Sequence, residues 1–421
     1  MIGGFIGRIE KYLQLDLEYY IRNSLYLILA RGTVMSSGLL LSVAFAHLVT
    51  KEVFGQWNYI FSIMGIVAIL TLPGINTAIT QSVATGHDRI LVEGTKQRFK
   101  WSILGSLAII GVGVYYFLSG SALLGKGLII SSLFFPFYQN FETYAAFLSG
   151  KKQFDRLAKY RIITQLIVVL ATITVIYLSR NLMLIIAANL FSFAVLRGYF
   201  FRLTFKNMEN QSSDPEAIPF GKHMTVTQIP ATIRQHYDKL IIALFLSFPE
   251  LAIYSIAWAF SNLLNPFRSI IASLIFPKLS QMDKETAYSE VKKRWPLIIL
   301  GFGIICGILI IFCPYIIPLL YSQQYADSIL YAQLLLVSIV IAAPVPIINK
   351  ALFPSQRRIK DLYKLRILSS VIGIVLLTFL VLNFGSLGAV IAIILTRAFS
   401  MVYSLKLAGF ISFRPSPQAR K

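Results

Sequence analysis

Charge is what this chain has least of: 14% of its 421 residues are Asp, Glu, Lys or Arg, against about 25% in a soluble domain. Acids are the scarcer sign, 18 against 39 Lys and Arg, which leaves a net charge of +21. Cysteine and histidine are nearly missing, at two and four residues. Cys306 and Cys313 share one apolar run, too far apart along a helix for a mutual disulfide, and helix packing is the reading for both. Neither they nor His47, His87, His223 and His236 show metal-ligand spacing, so no metal site is expected. No catalytic motif occurs. Gly301, Gly303 and Gly307 imitate a glycine-rich loop, yet no strand precedes them, and close helix packing accounts for them better than phosphate binding. The expectation is a protein that is not an enzyme and holds no cofactor.

Apolar length is what the chain has instead. It is 56% hydrophobic with a mean hydropathy of +0.70. Runs of about 20 residues recur from end to end, the length that crosses roughly 30 Å of hydrocarbon. The spacing predicts an all-α polytopic membrane protein with twelve transmembrane helices in two six-helix lobes. The spans fall near 24–48, 57–81, 102–120, 127–148, 162–179 and 182–200, then 224–247, 251–276, 296–319, 328–349, 367–384 and 387–406. Residues 1–23 read as an interfacial amphipathic helix, because Ile2, Phe5, Ile6, Ile9, Leu13, Leu17 and Tyr20 recur at helical spacing. The lobes are expected at 24–205 and 223–410, joined by a polar cytoplasmic linker at 206–222 and followed by a cytoplasmic tail at 411–421. No cleavage pattern precedes the first span, so that span is expected to be retained.

Basic residues set the orientation. One side of the membrane keeps only Lys51, Lys126 and Arg180, and the other takes the termini and every remaining basic loop, so both termini are expected in the cytoplasm. Basic clusters between apolar spans also argue against a nucleic-acid partner. The halves resemble each other. Ala146–Ile162 aligns without gaps on Ala351–Ile367, with five of the seventeen positions identical, each segment following the fourth span of its half. Six helices per repeat keep both halves in one orientation, with the symmetry axis along the membrane normal.

Five cations, Arg31, Arg234, Lys239, Arg268 and Arg397, lie within the spans beside two acids, Glu142 and Asp238. A charge in hydrocarbon costs a few kcal/mol on insertion scales, so such groups face a cavity or a partner, or snorkel to the headgroups. The excess of cations suggests a positive pocket, and the planar arginine fork suits phosphate oxygens. The seventh span is the least ordinary. Gln228, Arg234, Gln235, His236, Asp238 and Lys239 crowd its first part, Pro230 can bend it, and Arg234 and Asp238 are spaced to pair. Glu142 is read as protonated and packed, paired with a cation, or part of an ion-coupling route. Asn76, Gln81, Asn262 and Asn265 suit helix–helix hydrogen bonds and also sugar hydroxyls.

Several stretches carry a family likeness: TKEVFGQWNY at Thr50–Tyr59, AAFLSGKKQF at Ala145–Phe154, DKLIIALFL at Asp238–Leu246, ELAIY at Glu250–Tyr254 and FPKLS at Phe276–Ser280. In these the chain resembles the polysaccharide-transporter branch of the MOP flippase superfamily, which also includes the MATE multidrug exporters, and within it the Wzx-type flippases. Ala252 stands where that family often has Gly. The resemblance implies a MATE-like pair of lobes around a central cavity that opens alternately to each side. It implies a cargo of undecaprenyl-pyrophosphate-linked oligosaccharide, the repeat unit of O-antigen lipopolysaccharide, capsule or exopolysaccharide, moved from the cytoplasmic to the outer leaflet of the cell inner membrane. The partners are then the lipid-linked oligosaccharide, membrane lipids, and the polymerase and chain-length machinery. Substrate binding would fall to Arg31, Arg234, Lys239, Arg268 and Arg397, with H⁺ or Na⁺ coupling at Asp238 or Glu142. A MATE-type cation exporter and a lipid II or teichoic-type flippase remain open alternatives. A membrane polysaccharide polymerase fits less well, since the outer loops are short.

Overall fold

A computed structural model describes residues 17–356 and 358–410, and among them the chain is helical without strands. The helices are α1 (Leu17–Leu48), α2 (Lys51–Val67), α3 (Ile75–Ala84), α4 (Ile90–Leu118), α5 (Ala122–Asn140), α6 (Thr143–Gly150), α7 (Phe154–Ser179) and α8 (Leu182–Lys206). They continue as α9 (Ala217–Phe245), α10 (Phe248–Asn262), α11 (Asn265–Ser280), α12 (Lys284–Tyr321), α13 (Ser328–Ile341), α14 (Val345–Ser355) and α15 (Ile359–Leu407). The interfacial helix expected at 1–23 lies outside the described residues except for its end, where α1 already runs from Leu17. The tail at 411–421 lies outside them altogether.

The element order repeats. In each half the second pass is broken, after the short 3-10 turn Ala68–Thr71 in one and at Asn262 in the other. The fourth pass is broken too, between α5 and α6 and, with a bend of 44°, between α13 and α14. Among the described residues, eight helices are long and apolar enough to cross a membrane, nine when α13 and α14 count as one. Counting the two limbs of α15 on either side of Gly385 (φ 59°) and adding α9 and α10–α11 brings the passes to twelve. Large apolar side chains such as Leu178 and Leu319 stay 75% and 80% exposed, an exposure that lipid, not water, accommodates.

The chain divides into two compact units. The first comprises residues up to Leu48 together with Met64–Ile229, and the second Val49–Ile63 together with Pro230 onward. The division therefore falls inside α2 and, at Pro230, inside α9. In the first unit α4 packs on α5, α1 on α7, and the short α3 on the short α6. Glycines permit the closest approaches: a Cβ on Gly125 would meet the Gly113 carbonyl at 2.7 Å, and one on Gly150 the Thr80 carbonyl at 2.7 Å. Small residues at such crossings are what packing in lipid selects, because burial from water does not drive it there. In the second unit α12 packs on α13 and α11 on α14, the same partnerships one repeat later. Gly55 is required there, since a Cβ would overlap the Phe248 carbonyl.

Two expectations change. The linker is shorter than 206–222, because α8 ends at Lys206 and α9 begins at Ala217. It is tied to the first unit: Ser82 Oγ donates to Asp214 Oδ2 at 2.5 Å, and the Glu209 amide donates to Asp88 Oδ2 at 3.0 Å. Lys151 Nζ holds Asp88 at 3.1 Å and Glu209 at 2.6 Å. Finally, Gly301 and Gly307 have nothing near a would-be Cβ and Gly303 only Val340 at 3.8 Å, so close helix packing does not explain them. Cys306 and Cys313 are buried free thiols, as packing residues are.

Candidate functional site

The second unit contains a cavity of about 360 Å³ walled by α9, α10, α11 and both limbs of α15. Arg234, Gln235 and Asp238 reach it from α9, Trp258 and Asn262 from α10, and Arg397 from α15. These walls follow from local sequence. The α9 residues that line it recur at 231, 234, 235 and 238, one helical face, and the last three are polar. Gly373 leaves room beside it, with only the Thr396 methyl within 3.2 Å of a would-be Cβ and Arg234 Cδ at 3.7 Å. The break after Asn262 turns Asn265 into the same space. The helices that contribute most polar groups, α9 and the broken α10–α11, are among those too polar or too short to qualify as spans unaided.

Arg234 is exposed to this cavity and makes no hydrogen bond or ion pair among the described residues. The pairing with Asp238 expected from their spacing is not formed. Asp238 is buried and engaged elsewhere: the Tyr254 hydroxyl donates to its Oδ2 at 2.6 Å and the Lys239 amide to its Oδ1 at 2.8 Å. A phenol already supplies what the guanidinium was expected to give, so Arg234 keeps its donors. Arg397 is half-buried and donates one, from Nη1 to Ser338 Oγ at 2.6 Å, which fixes the fork and leaves its other N–H groups.

Lys239 and Arg268 lie outside the cavity wall. Lys239 Nζ donates to Asn58 Oδ1 at 3.3 Å and sits 5.1 Å from the centre of the Trp258 ring, so the wall residue Trp258 stands next to its charge. Arg268 is buried. Its Nη1 donates to Asn265 Oδ1 at 3.0 Å and its Nη2 to the Ala342 carbonyl, at the α13–α14 break. Arg31 belongs to the first unit, exposed on α1. Of the five expected cations, then, Arg234 and Arg397 share a cavity and Lys239 and Arg268 back it.

Glu142 also lies in the first unit, between α5 and α6, and is paired: Arg197 Nη1 stands 3.1 Å away and Arg161 Nη2 3.9 Å away. Arg197 further packs on the rings of Tyr138 and Phe193 at 4.6 and 4.7 Å. Arg98, 2% exposed, is the first unit's other interior cation. It donates to the Thr71 carbonyl at 3.1 Å, the Gln139 carbonyl at 3.1 Å and Asn76 Oδ1. Sequence reasoning placed Arg98 before the third span because the apolar run starts later. The buried stripe Leu91, Gly94, Thr95, Arg98, Ser102, Gly105 and Ile109 is the signal that carries it inside.

The sequence matches the polysaccharide biosynthesis protein family over residues 44–330. The chain belongs to that family. It is 23% identical over 201 residues to the probable low-salt glycan biosynthesis flippase Agl15 of Haloferax volcanii, a match spanning 46% of this chain and 42% of that protein. The chain thus covers less than half of that relative's length. Among solved structures it resembles the lipid II flippase MurJ in an inward closed conformation, with a TM-score of 0.69 at 15% identity over 91% of this chain and 87% of that one. It also resembles an inward-facing MATE multidrug transporter of the MOP superfamily, with a TM-score of 0.64 at 14% identity over 91% and 97%. At these identities the structures establish a shared MATE-like fold. Family and fold together describe a multi-pass membrane protein of the polysaccharide biosynthesis family.

Proposed function

We propose that this family member moves an undecaprenyl-pyrophosphate-linked oligosaccharide from the cytoplasmic to the outer leaflet of the cell inner membrane by alternating access. The carrying observation is the cationic cavity of the second unit, where Arg234 has no protein partner among the described residues and Arg397 has one neutral partner. Two guanidinium forks with spare donors, beside the amides of Gln235, Asn262 and Asn265, suit a pyrophosphate. Lys239 and Arg268 stand behind that wall and add positive field. The same charge opposes a cationic drug as cargo, and the lipid tail stays in the bilayer. Arg31 serves initial attraction from its exposed place on α1. Both termini are cytoplasmic, which puts the basic loops on the side where the cargo is made, near the polymerase and chain-length machinery it feeds.

Of the two acids, Glu142 is occupied by Arg197 and Arg161. Asp238, held by neutral Tyr254 at the cavity wall, is the better candidate to take up H⁺ or Na⁺. Such uptake drives transport only if it differs between the inward and outward states. Surface polysaccharide in a cell dependent on this chain is the test. The double variant Arg234→Ala/Arg397→Ala, at matched protein levels, is expected to produce none. Normal polymer would overturn the proposal.

A further inference from the structure

The first unit holds a cavity of its own, about 570 Å³, with different chemistry. It opens between α3, the start of α6 and α7. One face of α3 supplies Asn76, Thr77 and Gln81; Glu142 and Ser149 come from the fourth pass and Arg161 from α7. The site is built. Thr80 Oγ1 donates to the Ala146 carbonyl at 3.0 Å, and Gly150 lets the Thr80 backbone come against α6, so α3 and α6 are fixed to each other.

The lining here carries one acid, Glu142, and one cation, Arg161, against two cations and one acid in the second unit's cavity. Glu142 lies between Arg197 and Arg161, and Arg98 directs its donors to carbonyls and to Asn76 Oδ1. What remains to meet a ligand is neutral and polar. Thr77 and Gln81 are exposed, and their side chains make no hydrogen bond among the described residues. The amide nitrogen of Asn76 is likewise unengaged there. Amides and hydroxyls each donate and accept, and a carboxylate accepts through two oxygens. That mixture matches vicinal hydroxyls of a sugar ring. An anion would meet one lining cation, Arg161, that already faces Glu142 at 3.9 Å, and an apolar chain would leave these groups without partners.

We infer that this cavity binds the sugar rings of the cargo, a glycan site separate from the cationic cavity of the second unit. The inference rests on the proposed function and divides its cargo by chemistry: pyrophosphate to guanidinium forks, saccharide to amides and hydroxyls. The site therefore selects among glycans, while the second unit's cavity selects for the pyrophosphate they share.

The test uses the full chain in lipid nanodiscs, carrying either Gln81→Cys or Gln235→Cys, with a water-soluble maleimide. The native Cys306 and Cys313 are buried and react slowly. Two probes are added separately: undecaprenyl-pyrophosphate-linked oligosaccharide extracted from the producing cell, and undecaprenyl pyrophosphate without sugar. At about ten times the Kd, the oligosaccharide lipid is expected to slow labelling at Gln81→Cys about tenfold, and the sugarless lipid to leave it unchanged. Both probes are expected to slow labelling at Gln235→Cys. Unchanged labelling at Gln81→Cys with protection at Gln235→Cys would overturn the glycan site and leave the proposed function standing. Equal protection of Gln81→Cys by both probes would also overturn it. Protection at Gln81→Cys alone would uphold the glycan site and overturn the pyrophosphate assignment, and protection at neither would overturn both.

Discussion

Arg98 and Arg234 are arginines inside helical passes of the same chain, yet their surroundings differ completely. Arg98 is buried in the first unit with its donors taken up by carbonyls that the broken second and fourth passes release. Arg234 lines a cavity of the second unit with no hydrogen bond or ion pair among the described residues. The difference teaches what decides the role of a cation in a membrane protein. A helix break strands backbone carbonyls in a medium without water, and a nearby guanidinium that satisfies them becomes part of the fold. Where no stranded carbonyl or carboxylate lies in reach, the donors stay available to a ligand. Arg268 follows the first pattern, on the Ala342 carbonyl, and Arg397 leans to the second.

This contrast is easiest to break at Arg98. Replacing it with Ala strands two carbonyls and the Asn76 amide oxygen, at a cost of about 3 kcal/mol. The expected outcome is a chain that accumulates poorly and melts many degrees lower in detergent, checked by fluorescence-detected size exclusion after heating. A native melting point would mean that the carbonyl bonds do not hold the first unit together. Glu142→Gln comes next. It leaves Arg197, whose side chain is 12% exposed, without its carboxylate. Glu142 is 37% exposed and water softens the loss, so about 2 kcal/mol is expected. If melting were unchanged while transport responses to a pH or Na⁺ gradient vanished, Glu142 would be a coupling residue and not a structural partner.

The smallest effect is expected at Lys151, in the turn between α6 and α7. Burial pulls its pKa down, but hydrogen bonds to Glu209 and Asp88 outweigh this and leave it above the ordinary lysine value. A raised folded pKa means the contribution is complete below the unfolded value, about 10.4, and fades only as pH rises through the folded one. Lys151→Ala should therefore cost about 1 kcal/mol or less, with a difference from the native chain that stays flat from about pH 6 to about pH 9 and shrinks with added salt. A difference that varied across that pH range would assign the linker's attachment to another group.

Much of this was legible beforehand in the residues. Apolar run length announced the helical passes, and polarity singled out the seventh, where α9 lines the cavity. Asn262 and Asn265 read as polar residues inside one span, and the break between them shows only in the fold. Partners were harder to read, because a helical face specifies direction but not what waits there. Arg234 and Asp238 have the spacing of an ion pair, and only the fold brings Tyr254 to Asp238 first. Arg98 and Arg197 escaped notice because each lies near the end of an apolar run, where a cation reads as a loop residue. Burial of the early turns of α4 and the late turns of α8 depends on contacts with α3 and α6.

The central claim is that Arg234 and Arg397 of the second unit bind cargo while Arg98 and Arg197 of the first hold the fold. Affinity and melting, measured together on nanodisc-embedded chain, test it most directly. With undecaprenyl-pyrophosphate-linked oligosaccharide as ligand, Arg234→Ala/Arg397→Ala is expected to weaken binding by about a hundredfold, some 1.4 kcal/mol for each tenfold step, while melting stays near that of the native chain. Unchanged affinity in that variant, or a collapse of melting equal to that of Arg98→Ala, would contradict it.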